Sequence, residues 1–571
     1  MSERAEHLER EESADKECFG VLIGCRLETQ PSSNFTTYFN AHHNITFGQF
    51  SASYIWASNI LGHSNGEMSR FATEHHHDPD IDPPLLLESL GPEILVMIFD
   101  QIYITKPATL ISLRLTCRRI NQIVAPLSYR RVHLSVRKLA AVSGRNKRED
   151  IVRNVYAHTR HVEFRQLLDW DDVALLLFGC VQLDTITWAC GRDILQCYFP
   201  NAMRLLVGDK WPRVRISNEF LDYPAIGQSG SFLKTFPASN MISLTLHNRV
   251  PRQSNRPLHQ FLATCVNLEE LRLYGLNFLD SIFEPADGRL PAIKSFFTDV
   301  RSWPYTQDNV HSVWDFSQLQ DLEIAWHVFG FMSQSMSPEN LSRLRRLRLR
   351  HRWAGIDSPI EVYTQYHTMR TSFLNSILER IPENQLQELD VKCHLPKFST
   401  AALARHGRSL RLVRLLDASG FEVDGSTTPT TSLDDLTRLH FTCPHLTEVA
   451  VGVNIAYPEE IPAFADSMSG FRNLSILTLY MQKVPKSFIP VTGNKVLDFG
   501  QCLAERLYKQ KFGLSLSKLS INVGEWTPRS RPHRLIHSSK ANLDMTEAYQ
   551  PRRFLNFSWD LQGLMLFETE P

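Results

Sequence analysis

The chain has 571 residues, 43% hydrophobic and 21% charged, with Lys plus Arg and Asp plus Glu equal at 61 each. That length exceeds what one compact core normally supports, so several domains or an extended array are expected. The balanced charge supplies no global field for nucleic acid or an anionic membrane, and argues against both as partners.

The ten cysteines include no C-x-x-C pair, which speaks against a zinc finger or a dithiol redox motif and fits reduced thiols in the cytoplasm or nucleus. The opening MSERAEHLEREESADKE is charged and acidic, unlike a secretory leader, and apolar runs such as 174–181 are too short to cross a bilayer.

Residues 1–82 mix charge, polar groups and histidines without periodicity and are expected to form a disordered arm. Cys18 and Cys25 have no histidine partners at zinc spacing. Glu74, His75, His76, His77 and Asp78 have ligand chemistry, but consecutive side chains do not converge on one ion, so the reading is a solvated linker and no metal site.

The next segment, 83–134, holds two apolar periodicities. Ile94, Leu95, Ile98, Phe99 and Ile102 recur at helical spacing after Pro92, a suitable first-turn residue. After Pro107 a second series runs through Leu110, Leu113, Cys117, Ile120, Val124 and Leu127, which predicts one helix of about four turns. Pro126 is expected to end or kink it. Arg114, Arg118, Arg119 and Asn121 fall on the opposite side.

Periodicity alone gives short amphipathic helices, and residue identity adds the rest. The pieces Leu90-Gly91-Pro92-Glu93-Ile94-Leu95, Ile98-Phe99, Leu113-Arg114-Leu115-Thr116-Cys117-Arg118-Arg119-Ile120 and Pro126-Leu127-Ser128-Tyr129-Arg130-Arg131-Val132 resemble an F-box, especially those of filamentous fungi. Gly91 stands where the family usually has proline, and Ile120 where tryptophan is frequent. The resemblance implies docking onto a Skp-family adaptor of a cullin–RING ubiquitin ligase through Leu90, Pro92, Ile94, Ile98, Phe99, Leu113 and Cys117.

From 135 to about 525 the pattern apolar-x-x-apolar-x-apolar keeps returning, as in leucine-rich repeats. Clear copies are Leu268/Leu271/Leu273, Leu344/Leu347/Leu349 and Leu474/Leu477/Leu479. Others begin at Met241, Leu319, Leu386, Leu410, Leu446 and Leu516, with weaker ones at Leu183 and Ile293. From 268 to 293, 319 and 344 the steps are 25, 26 and 25, within the window of about 20 to 29 residues for such repeats. The steps 344 to 386 and 410 to 446 are 42 and 36, which imply insertions or lengthened helices. Cys180, Cys265 and Cys443 each stand three residues before a repeat's first apolar position, as in the cysteine-containing subclass often fused to F-boxes. The tail, 526–571, starts polar and proline-interrupted, and its apolar piece 554–567 is placed to cap the open end of the array.

The expected architecture is therefore α+β and multidomain: a small helical F-box followed by an irregular α/β leucine-rich-repeat solenoid. In such an array the leucines face inward and the residues between them project onto a broad concave surface suited to a protein partner. Tyr274, Trp326, Arg348, Arg350 and Tyr480 are the expected substrate contacts, because interface anchors favour Tyr, Trp and Arg. The run 342–352 is strongly basic, yet alternating Leu and Arg is also what a half-buried strand requires.

No G-x-S-x-G, Walker, dinucleotide or H-E-x-x-H motif occurs, and Gly227-Gln228-Ser229-Gly230 misses the first by a residue. The resemblance implies a non-catalytic substrate receptor with no cofactor. The alternatives are an interaction scaffold that delivers nothing for degradation and an unrelated α/β enzyme.

Overall fold

The computed structural model describes residues 90–135, 139, 149–165, 170–189, 212–216, 238–247, 256–274, 288–299, 303, 305–350, 360–417, 429–485, 487–491, 494–524, 553–560 and 563–569. All fall in one compact unit, Asp82–Pro571. The arm expected over 1–82, with Cys18, Cys25 and the histidine run, lies outside the described residues, as does Gly227 to Gly230.

Three short helices come first: α1 (Pro92–Thr105), α2 (Thr109–Arg114) and α3 (Arg118–Tyr129). Pro92 begins α1, where its missing N–H costs nothing. The single helix expected after Pro107 is two. The apolar stripe is continuous, with Leu110, Leu113, Ile120, Val124 and Leu127 all buried, but the backbone breaks at 115–117. Cys117 takes an extended conformation at φ −154° and ψ 164°, and its Sγ accepts a hydrogen bond from the Ile120 N–H. Periodicity cannot register such a cap, because the cap occupies a position on the same stripe. Pro126 sits inside α3, and the helix ends one turn later.

These helices share a small core of Leu95, Phe99, Leu110, Leu113, Ile120, Val124 and Leu127. Tyr129 reaches past it to pack against the main core.

Among the described residues, the chain after α3 is built on one sheet. Its sixteen strands, counted among the described residues, are hydrogen-bonded in chain order. They are β1 (Arg131–Leu134), β2 (His161–Phe164), β3 (Thr185–Trp188), β4 (Arg213–Ile216), β5 (Met241–His247), β6 (Glu270–Tyr274), β7 (Ser295–Asp299) and β8 (Asp321–Ala325), then β9 (Arg346–Arg350), β10 (Glu388–Cys393), β11 (Leu412–Asp417), β12 (Glu448–Gly452), β13 (Ile476–Met481), β14 (Lys518–Val523), β15 (Arg553–Asp560) and β16 (Gly563–Thr569). β1 to β14 pair parallel, while β14–β15 and β15–β16 pair antiparallel.

Helices connect the parallel strands: α4 (Glu149–His158), α5 (Trp170–Gly179), α6 (Arg256–Thr264), α7 (Gln307–Val313), α8 (Trp326–Ser335), α9 (Ile360–Arg380), α10 (Thr400–Ala404), α11 (Leu433–Thr442), α12 (Glu460–Ser469) and α13 (Lys495–Gln510). The order is that of a solenoid, in which each repeat buries its apolar face on its neighbours. The 42-residue step is explained by the 21 residues of α9. No described helix is long and apolar enough to cross a membrane.

The repeats fix the register. Leu244, Leu271, Phe296, Leu322, Leu347, Leu389, Val413, Val449, Leu477, Leu519 and Phe557 lie side by side across the sheet, and all are buried. Every strand expected from the repeat pattern is present. Three that it missed are β1, β2 and β4, four-residue strands with only two inward positions each.

Cys180, Cys265 and Cys443 end the helices before their strands and are buried. Burial pushes the Cys180 and Cys265 thiols up to about 12, and Cys443 also upward, so they act as small core residues rather than thiolates. At the far end, the apolar piece expected over 554–567 forms β15 and β16, and Leu555 and Phe557 close over the last parallel repeat.

Candidate functional site

Two surfaces carry the residues singled out from the sequence. The first is the outer side of α1 and α2. Ile94 is 50% exposed and Pro92 is exposed, whereas Leu90 and Ile98 are half-buried. The Leu90 carbonyl accepts a hydrogen bond from the Arg119 guanidinium at 2.7 Å.

Phe99 and Leu113 depart from the expectation. They face inward at 0% and 2% exposure, because they lie on the stripe that binds the three helices to one another. Cys117 caps α3. Phe99 and Leu113 therefore hold the surface rather than form it, while Cys117 stays half-buried. What α1 and α2 present instead is Met97 at 71%, Ile111 at 56% and Leu115 at 85%, with Ile104 at 73%. The sequence signal for these was present: they are apolar residues off the helical stripe, where a solvated face would be polar.

The second surface is the sheet face turned away from the helices. Side chains alternate along a strand, so the residues between the buried leucines align here in rows. One row runs Arg272, Phe297, Glu323, Arg348, Asp390, Arg414, and another Glu270, Ser295, Asp321, Arg346, Glu388. Tyr274, Arg350 and Tyr480 lie on this face as expected. Tyr274 packs on Phe297 with ring centroids 4.3 Å apart.

Trp326 is a correction. Leu322 and Ile324 point into the core, and Trp326 shares their parity; moreover the chain turns into α8 at this residue. The indole is 3% exposed, and its Nε1–H donates to His367 Nδ1 at 2.8 Å. Counting parity from Ile324 would have placed it inside.

The arginines that β6, β9 and β11 present on this face are committed to neighbours. Arg346 lies between Asp321 at 3.5 Å and Glu388 at 3.1 Å. Arg348 holds Glu388 at 2.9 Å, and Arg350 holds Glu323 at 2.6 Å. Arg414 spans Asp390 and Glu448, and Arg272 meets Glu270 at 2.7 Å. For Arg272 and Arg414, burial works against the charge, but hydrogen bonds and the fields of Glu270 and Glu448 outweigh it and hold both above the ordinary value. Asp321 is raised, chiefly by burial, with Arg346 opposing and Glu388 adding to it.

A depression of about 200 Å³ lies over β6 to β9, lined by Glu270, Arg272, Phe297, Asp321, Glu323 and Arg348 among others. Acid and base are matched around it. Among the described residues, no group of three His, Cys, Asp or Glu side chains could hold a metal ion.

No family model matches the chain, and no curated protein matches it. Among solved structures it is similar to the "Crystal structure of Rad7 and Elc1 complex in yeast", at 10% identity, over 79% of this chain and 94% of that one, with a TM-score of 0.35. So remote a likeness carries no argument, and function rests on the chain's own residues.

Proposed function

We propose that the chain is a substrate receptor of an SCF-type cullin–RING ubiquitin ligase, with 83–134 as an F-box that binds a Skp-family adaptor and the repeats as the holder of a protein substrate. The observation that carries this reading is the apolar surface of α1 and α2. Met97, Ile104, Ile111 and Leu115 stay in water although the three helices already have a closed core of their own. Apolar side chains left out of a satisfied core mark a surface that another protein covers. The residues quoted for the F-box resemblance occupy the same helices.

The attachment of these helices supports the reading as well. The α3 helix passes into β1 through Arg130 alone, whose carbonyl accepts from the N–H groups of Arg160 and His161. The Thr159 hydroxyl donates to the Tyr129 carbonyl at 3.2 Å. A receptor works by proximity, raising the local concentration of acceptor lysines near the charged enzyme, and a short, hydrogen-bonded junction preserves that geometry.

The test is co-purification of the full chain with a Skp-family adaptor, wild type against a Met97→Asp, Leu115→Asp double variant. Both positions are exposed, so the fold is retained, whereas a charge at Phe99 would break the helical core. A charge forced into a desolvated interface costs several kcal/mol, on the order of a thousandfold in affinity. Stoichiometric binding by wild type and none by the variant supports the reading. A folded wild type that leaves the adaptor unbound sinks it.

A further inference from the structure

Four turns lead from helix into strand before β11, β12, β13 and β14, at 405–411, 443–447, 470–475 and 511–517. They contain Arg405, Arg408, Arg411, Arg472 and Lys511 but no Asp or Glu, and Lys518 follows as the first residue of β14. All of their residues are described, and they form one continuous rim. The Arg411 carbonyl accepts from the Thr447 N–H at 2.8 Å, the Thr447 carbonyl from the Ser475 N–H at 2.9 Å, and the Ser475 carbonyl from the Ser517 N–H at 2.8 Å. At a strand spacing of about 4.8 Å, the rim spans about 15 Å.

On the sheet face every arginine named above meets a carboxylate, whereas on this rim only Arg405 does, with Glu383 at 3.5 Å. Arg411 and Lys511 donate to neutral backbone carbonyls, those of His445 at 3.2 Å and of Phe512 at 2.8 Å. Arg408, Arg472 and Lys518 are exposed, and their side chains make no hydrogen bond or ion pair with any described residue. The positive field is felt nearby. Burial first, then the Arg472 charge, holds His440 below its ordinary value. Cations do complement helix C-termini, which lie at this edge. That role leaves unexplained the apolar side chains exposed beside them: Phe441 at 73%, Phe512 at 70% and Leu514 at 57%. The Leu514 N–H donates to the Arg472 carbonyl at 2.8 Å, so apolar and basic residues share one surface.

We propose that this rim docks an acidic, extended segment of the protein substrate, its carboxylates facing Arg408, Arg472 and Lys518 and its apolar side chains covering Phe441, Phe512 and Leu514. The proposal rests on the reading of the repeats as the holder of a protein substrate, and it names the substrate class. On the sheet face an anionic segment would have to displace a carboxylate already in place, but here it displaces only water. A nucleic acid would bring phosphates but no aliphatic group to cover Leu514, and the chain's net charge of zero does not draw one in.

The probe is a phage-displayed library of random twelve-residue peptides, selected on the full chain, with the recovered peptides measured by fluorescence anisotropy. They should be enriched in Asp and Glu and should carry an aromatic or aliphatic residue. Raising salt from about 50 to about 300 mM should weaken them about fivefold or more. An Arg408→Glu, Arg472→Glu pair should weaken them about tenfold or more, and the neutral Arg408→Gln, Arg472→Gln pair about threefold. Both variants should keep the wild-type urea midpoint, because neither side chain is bonded within the fold. Arg153→Glu, an exposed change on α4, should stay within about twofold.

The proposal is overturned if the library yields no binder, if the binders are not acidic, or if they bind the Glu pair as well as wild type. It is also overturned if the Gln pair lowers the urea midpoint and leaves binding unchanged, which would assign these cations to the helix ends. Tighter binding of a labelled twenty-nucleotide oligothymidylate than of any peptide would overturn it in favour of nucleic acid. Adaptor co-purification is read separately. A chain that binds acidic peptides but not the adaptor loses only the ligase reading, and the reverse result loses only this one.

Discussion

At the scale of single residues, the chain places charge where a neighbour answers it. Glu163 on β2 shows how far this goes. Its side chain is 8% exposed and meets Arg131 at 3.0 Å, His133 at 2.9 Å and Arg165 at 2.6 Å. Burial opposes its charge, but the hydrogen bonds from Arg165 and Arg131 and the field of His133 prevail and hold the carboxyl below its ordinary 4.5. A depressed carboxyl contributes stability that is whole above 4.5 and is lost as pH falls through the lower folded value. Glu163→Gln leaves three basic side chains facing a neutral amide, which should cost about 1–3 kcal/mol at pH 7. The same variant should show a smaller drop between pH 5 and pH 3. Urea melts of both proteins at the two pH values measure it, and parallel pH dependence would refute the assignment.

At the scale of elements, close approach between consecutive repeats is set by particular residues. Gly407 follows α10, and a Cβ there would lie 1.8 Å from the carbonyl oxygen of Thr442, at the end of α11. That neighbour is backbone and has no rotamer to yield. Gly407→Ala must push α11 away from α10, with an expected cost of about 2–3 kcal/mol, at the upper end of overpacking effects, read as a fall in the denaturant midpoint. An unchanged midpoint would mean the two helix ends separate freely.

The elements also divide what the sequence discloses from what it hides. The strands were legible because Leu-x-x-Leu-x-Leu states both a spacing and a parity, and parity decides which face each side chain takes. Tyr274, Arg348, Arg350 and Tyr480 follow it, and Trp326 was misplaced only by ignoring it. The break between α2 and α3 was hidden, since Cys117 keeps to the apolar stripe while its backbone leaves the helix. The pairing of the arginines was hidden as well. Glu388 lies 40 residues from Arg348 along the chain, and only the register of β9 against β10 makes them neighbours.

At the scale of the whole molecule, a solenoid transmits little along its length, because each repeat is buried chiefly by the repeats beside it. The two ends should therefore fail independently. At the far end the antiparallel pair β15–β16 covers β14, and Leu555 and Phe557, each 1% exposed, complete the core under α13. A Cβ added at Gly500 on α13 would come within 2.6 Å of Leu555, so that helix is fitted closely to this strand. Deleting residues 553–571 removes both inward side chains and leaves β14 as an open edge beside an uncovered α13. Losing two fully buried apolar side chains removes about 3–6 kcal/mol of burial from that end alone. Hydrogen exchange should then rise in β13, β14 and α13, fall back to wild-type rates by β10, and leave α1 to α3 unchanged. If the proposed reading holds, adaptor binding should survive the deletion, since the surface proposed for it, on α1 and α2, lies next to β1, at the other end of the strand order. Exchange that rises evenly from β14 to β1 would instead mean that the sixteen strands unfold as one unit, and the two surfaces could not be dissected by mutation at either end.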